Sequence, residues 1–157
     1  MSEQENTRLV AWGREMREVH DRLRAAHRVA LDEVAAGRTP SASSDLLLFC
    51  HGFCTALDGH HRGEDTLLFP AVEAEHPDLA EPLRKLVQDH AMIGHLVGAL
   101  QGAVTASAAP DVLGLGRHLD GIGAIMESHF RFEERTLLGI LDRLGLRAEV
   151  GDVFGPL

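Results

Sequence analysis

Apolar residues recur at threes and fours along four long stretches of the chain, the periodicity of helices that each bury one face. From about residue 6 to Ala36 the stripe is Leu9, Trp12, Met16, Leu23, Ala30 and Val34; Gly37 and Thr39-Pro40-Ser41 then supply a stop and a turn. A second helix, capped by Ser43 or Ser44, carries Leu46, Cys50, Phe53, Leu57, Leu67 and Ala71 and is expected to kink or end at Pro70. Asp78 is the expected cap of a third, with the stripe Leu79, Leu83, Leu86, Ile93, Val97, Leu100 and Val104. After a small-residue turn from Ala106 to Pro110, Asp111 caps a fourth whose face is Leu115, Leu119, Ile122, Met126, Thr136, Ile140 and Leu144, closed by Gly145. Nothing alternates at period two. The predicted class is all-α, an antiparallel up-down-up-down four-helix bundle over residues 1–147, with 148–157 a short unassigned C-terminal tail. Gly114, Gly116, Gly121 and Gly123 weaken the first half of the fourth helix unless it packs closely there.

Each stripe is interrupted by ionisable residues: His20 in the first, His60 and Glu64 in the second, His90 in the third, His129 and Glu133 in the fourth. A histidine and a glutamate four residues apart on a helix point the same way. The two such units are twins, His60-His61-Arg62-Gly63-Glu64-Asp65 and His129-Phe130-Arg131-Phe132-Glu133-Glu134, and Thr-Leu-Leu follows shortly after each. His20, His60, His90 and His129 fall near the midpoints of the four predicted helices, so in an antiparallel bundle they meet at one level. His20 and His60 are as far apart in the chain as His90 and His129, to within one residue, as if one helix pair were repeated.

Four imidazoles and two carboxylates in an apolar seam would be costly to bury unpaired. Two divalent cations remove the objection, and mixed imidazole and carboxylate donors suit iron, manganese or zinc. Glu64 and Glu133 are placed as bridging carboxylates, with His20 and His60 expected on one metal and His90 and His129 on the other. His61 with Asp65 is a rival pair at the same spacing, rotated about 100° around the helix, and either can serve as an outer partner that fixes an imidazole. His27 faces inward but lies two turns from the metal level. His118 and His95 read as structural or exposed, and His51 and His76 carry no signal. Glu134 and Arg131 are expected on the solvated side of the fourth helix, and Trp12, Phe53 and Met126 in the core.

Composition narrows the chemistry. The chain has 157 residues, ten histidines, no tyrosine to store a radical, and 24 acids against 15 bases, for a formal charge of -9. That charge repels a phosphate backbone, so nucleic acid is not an expected partner. The polar, acidic start lacks a signal-like or membrane-spanning run, which points to a soluble, cytoplasmic protein away from membranes. Cys50 and Cys54 share a helix face with poor geometry for a disulfide and read as small buried apolar side chains.

These motifs, with Leu68-Phe69-Pro70 after the first unit, resemble the hemerythrin-like (HHE) proteins over about residues 12 to 145. The resemblance implies a hemerythrin-like bundle with a non-haem di-iron centre, oxo- or hydroxo-bridged, held by His20, His60, Glu64, His90, His129 and Glu133, with no catalytic residues beyond these ligands. It implies a small diatomic or peroxide as ligand: reaction with oxygen, peroxide or nitric oxide, catalase-like peroxide decomposition, or protection from oxidative or nitrosative stress. A non-enzymatic oxygen or iron sensor or store, or a structural metal site, is the alternative; no protein partner is indicated. Oxygen-carrying members use His-xxx-His on the third helix and an aspartate five residues after the last histidine. Here Gly94 stands four after His90, and Glu133 is the final carboxylate. The expected set of four histidines and two glutamates leaves an open position on one metal, favouring reaction over reversible carriage.

Overall fold

The structure, a computed structural model, describes residues 11–36, 40–105 and 112–155, with the side chains of 40–50, 104–105 and 112–113 left aside. Among the described residues every regular element is helical, and no helix is long and apolar enough to cross a membrane. Helix α1 (Trp12–Ala35) buries Trp12, Met16, Val19, His20, Leu23, His27, Ala30 and Val34, the spacing read from the sequence. Helix α2 (Pro40–Gly63) runs through a π turn (Glu64–Leu68) into α3 (Phe69–Glu75). A 3-10 turn (Pro77–Leu79) leads into α4 (Ala80–Thr105), followed by α5 (Val112–Leu141) and a short α6 (Val150–Phe154).

The long helices form a ring of contacts, α1 with α2, α2 with α4, α4 with α5, and α5 with α1. Helix α5 runs opposite to both α1 and α4. Along α1 and α5, Trp12 reaches Leu146, Arg24 reaches Glu127 and His27 reaches Leu119. Between α4 and α5, Lys85 lies over the Phe132 ring and Asp89 reaches His129. Wherever a stripe crosses the middle of the ring it brings its ionisable residues inward.

Several expected boundaries move. Helix α2 begins at Pro40, so Ser43 and Ser44 lie inside it rather than at its cap. Proline suits a first helical position, where its missing N–H costs nothing. Asp78 caps nothing: it sits within the 3-10 turn, and α4 starts without a side-chain cap from it. Helix α5 ends at Leu141, not Gly145, because the chain tightens through bonds from Arg143 N–H to the Ile140 carbonyl and from Leu144 N–H to that of Leu141. Its buried face there is Leu137 and Leu141, with Thr136 and Ile140 only half-buried. Gly37, the Ala106–Pro110 turn, Asp111 and Cys50 lie outside the described residues or side chains. Cys54 is buried and not in a disulfide.

The expected break at Pro70 takes another form. Phe69 N–H donates to the Glu64 carbonyl five residues back, so the helix widens by one residue instead of ending. Pro70 has no N–H to offer, and the widened turn precedes it. The extra residue shifts the stripe: Leu68, Phe69 and Val72 are buried, whereas Leu67, expected in the core, is 37% exposed. Of the weakening glycines in α5, Gly123 has a packing reason, since a Cβ there would overlap the His27 ring; a Cβ at Gly121 would meet nothing.

The unassigned tail is part of the core. Val153 and Phe154 of α6 are fully buried, and Phe154 meets Trp12 edge to face at 5.9 Å. Gly155, at φ 88°, adopts a backbone that favours glycine and brings the chain against the backbone of Gly59 and His60. Gly63 makes the seat, because a Cβ there would collide with the Val153 carbonyl oxygen. Gly63→Ala is therefore expected to cost about 1–3 kcal/mol by overpacking, with faster amide exchange confined to residues 150–155. Gly139→Ala, in open space on α5, should instead be neutral or stabilise by up to about 1 kcal/mol; equal effects at both positions would contradict the seat.

Candidate metal centre

Among the described residues eight polar or charged side chains are buried: His20, His27, His60, His61, Glu64, His90, His129 and Glu133. All but His27 converge on one level. Donor atoms of six of these seven fall into two groups of four, His20 with His60, Glu64 and Glu133, and His90 with His129, Glu64 and Glu133, and the seventh, His61, groups with His90 and His129; the atoms within each group lie within 4.8 Å of one another. Both groups contain both glutamates. Glu64 Oε1 is 2.8 Å from His60 Nε2 and its Oε2 is 3.3 Å from His90 Nε2. Glu133 Oε1 is 3.4 Å from His20 Nε2 and its Oε2 is 3.1 Å from His129 Nε2. One oxygen of each carboxylate thus faces each group.

These atoms fit cations. Among the described residues seven buried side-chain nitrogen and oxygen atoms lack a hydrogen-bond partner: Nε2 of His20, His60 and His61, and both oxygens of Glu64 and of Glu133. All seven belong to this cluster. A buried polar atom without a partner costs about 1–3 kcal/mol, more when charged, and two fully buried carboxylates cost several kcal/mol each unless cations sit among them. Imidazole and carboxylate are the donors that iron, manganese and zinc accept.

On the far side of the rings, four of the imidazoles have a fixed partner. His20 Nδ1 meets Glu134 at 2.9 Å, His60 Nδ1 the Phe154 carbonyl at 3.1 Å, His90 Nδ1 Asp65 at 2.6 Å and His129 Nδ1 Asp89 at 3.4 Å. A proton held on Nδ1 leaves the Nε2 lone pair facing the cluster and fixes the ring. Arg24 donates to both Glu127 and Glu134 and so holds the carboxylate that orients His20.

The two halves mirror one another. Asp65 and Glu134 each follow a bridging-type glutamate in its own motif, and each reaches the lone histidine of the other half. The residue after each motif histidine does likewise: Phe130 stacks on His20 at 3.9 Å and 9°, and His61 stacks on His90 at 3.9 Å and 9°. At that one place the halves differ. His61 adds a fifth imidazole, grouped with His90 and His129, where the other half has a phenyl ring.

The expected placement of Glu134 on the solvated side is overturned: it is drawn in by His20 and Arg24, while Arg131 is exposed as expected. His61, weighed chiefly as an outer partner, stands among the donors, and Asp65 is the outer partner. The signals were the His60-His61 doublet and the acid after each glutamate. Asp89 and the Phe154 carbonyl had none, since neither lies in a motif. His27 keeps away from the cluster, its Nε2 2.6 Å from the Leu119 carbonyl. His51, His95 and His118 are exposed.

The all-helical architecture and this donor set define a cation-binding helical domain. Comparison with family models matches residues 14–141 to the hemerythrin HHE cation binding domain, and the chain belongs to that family. No curated protein and no solved structure matches it.

Without metal the cluster is held by shared protons. Burial works to lower the pKa of His20, but the nearby carboxylates of Glu133 and Glu134 outweigh it and raise it to about 9. His90 likewise is lowered by burial and raised more by Asp65, Glu133 and Glu64, to about 11. His61 is pushed well below 6.5 by burial and by the neighbouring imidazoles. Glu133 is lowered despite its burial, by His129, His20 and His90, and Glu134 by His20. The raised histidines contribute stability that is complete below pH 6.5 and is lost as pH climbs toward 9 and 11. His61 acts in the opposite sense, its contribution present above 6.5 and lost below, and the carboxylates lose theirs as pH falls beneath 4.5. The metal-free protein should therefore be most stable near pH 6.5 and weaken on both sides. Urea midpoints measured from acid to alkaline pH check this, and a midpoint still rising at about pH 9 would contradict it.

Proposed function

We propose that the protein is a non-haem di-iron protein of the hemerythrin kind, folded as an antiparallel up-down-up-down bundle, that binds or reacts with oxygen, peroxide or nitric oxide. Peroxide decomposition, in protection from oxidative or nitrosative stress, is the activity that fits best. The observation that carries this reading is the set of seven partnerless buried atoms arranged as two donor groups around the same two glutamates. On this reading His20 and His60 hold one iron, His90, His129 and His61 hold the other, and Glu64 and Glu133 span both.

Bound iron would supply the redox change and the affinity for small oxygen or nitrogen ligands. The chain does the rest. Glu64 and Glu133, unhydrogen-bonded, are free to turn between donor geometries, while the outer partners on Nδ1 keep the imidazoles fixed. Phe130, fully buried and stacked on His20, keeps water from that side of the donors and lowers the local dielectric, which strengthens the charge interactions there. The fifth imidazole makes the two halves unequal, so one ion is held by an aromatic-flanked pair of histidines and the other by three.

Protein purified without added metal is expected to contain two irons per chain and to absorb in the near-ultraviolet, which a zinc-filled site would not do. His129→Ala should lose one of the two, and Glu64→Ala or Glu133→Ala both. Glu134→Gln should weaken metal binding by about 10- to 100-fold without removing a donor. Full metal content in His129→Ala would end this reading, and sustained oxygen release on adding hydrogen peroxide tests the activity.

A further inference from the structure

A cavity of about 300 Å³ opens between α2 and α4 and reaches the cluster at His61 and His90. His61, His90 and Asp65 line its end at the cluster, Leu57, Val87, Ile93 and Val97 its apolar walls, and Asp58 and Arg62 also border it. Leu57, Ile93 and Val97 are almost wholly buried, so that part of the wall belongs to the core, whereas Val87, 41% exposed, stands at the surface. The space exists because Gly94 stands one helical turn after His90: a Cβ there would meet nothing within 4 Å. At the polar end, His61 Nε2 is one of the buried atoms that lack a hydrogen-bond partner.

Size and lining say more than access alone. A water molecule takes about 30 Å³ of liquid, and a diatomic is of that order, so the cavity holds roughly ten times what a diatomic needs. Its volume falls at the small end of the range for organic ligands, about 300–1,000 Å³, and an apolar wall with a few convergent polar groups is how such sites are built. A path for oxygen, an apolar diatomic, would use the apolar walls but not the width, and a path for hydrogen peroxide would need neither.

We propose that this cavity binds the apolar body of an organic ligand, an alkyl or aryl hydroperoxide, with its oxygen head turned toward the end of the cavity that His61, His90 and Asp65 line. The proposal rests on the peroxide reading above and narrows it to peroxides that carry a carbon group. Gly94 is then the specificity-determining position, since any larger side chain there fills the space without touching a donor. In the other half of the cluster Phe130 stacks on His20 and the Phe154 carbonyl meets His60, and the cavity between α1 and α5 is lined by Arg24, His27 and Met126 rather than by a donor of the cluster.

The probe is 2-phenylpropan-2-ol, which keeps the aryl body and an oxygen head but cannot be reduced as a peroxide. Titrated into isotope-labelled, zinc-loaded protein, it should give saturable amide shifts centred on Ala91, Gly94 and Val97. Gly94→Leu should weaken that binding at least tenfold while metal content and helicity stay unchanged. Ala91→Leu, at the exposed mouth, provides a second variant with the same expected loss, and Gly121→Leu, in open space on α5, should have no effect. Absence of saturable shifts, meaning a cavity that holds water only, overturns the proposal, and so does binding that survives both cavity variants. Because the measurement uses no iron, a protein that fails to take up iron would sink the function above and leave this result standing.

Discussion

Two glutamates with no exposed surface and four oxygens without hydrogen-bond partners are the constraint to which the fold answers. In an apolar bundle such groups are among the most expensive to bury. The surrounding imidazoles offset the cost in the metal-free chain by carrying protons, which is why His20 and His90 are drawn up and Glu133 down. Cations offset it more fully, because each carboxylate oxygen already faces its own group of donors. The fold does not close over a finished hydrophobic core to which a site was added; its middle layer is the site.

The outer partners show how this layer is kept in register. Asp65 and Glu134 cross from the half that carries them to the lone histidine of the other, and His61 and Phe130 cross with them. Each half orients the other. Arg24 extends the arrangement on one side by tying Glu127 to Glu134, and the π turn extends it on the other. By inserting one residue after Gly63 it lets Glu64 point into the cluster while Leu68, Phe69 and Val72 still pack below it.

Much of this could be read from residue order. The four stripes were legible because helical burial repeats at threes and fours, and the ionisable residues on them stood out as six interruptions of apolar seams. The structure brings together all six, His20, His60, Glu64, His90, His129 and Glu133. What escaped depends on contacts between elements. Glu134 lies on a face that looks solvated until α1 places His20 and Arg24 beside it, and Asp89 and the Phe154 carbonyl acquire partners only by proximity. Leu67 was misplaced because periodicity assumes an even helix, and one π turn rotates everything after it. The last residues, too short to show a period, dock through two side chains and a glycine seat that no pattern announces.

The exchange of partners across the middle has a consequence for how the chain could have arisen and how it can come apart. A single helical hairpin with its own motif would lack the acid and the stacking ring for its own lone histidine, and would find both only on a second hairpin arranged head to tail with it. Two copies of one such hairpin would complete each other, as the two halves do here. The same reciprocity means that a cation bound among these donors would tie each hairpin to the other, and the centre would act as a clasp for the whole molecule.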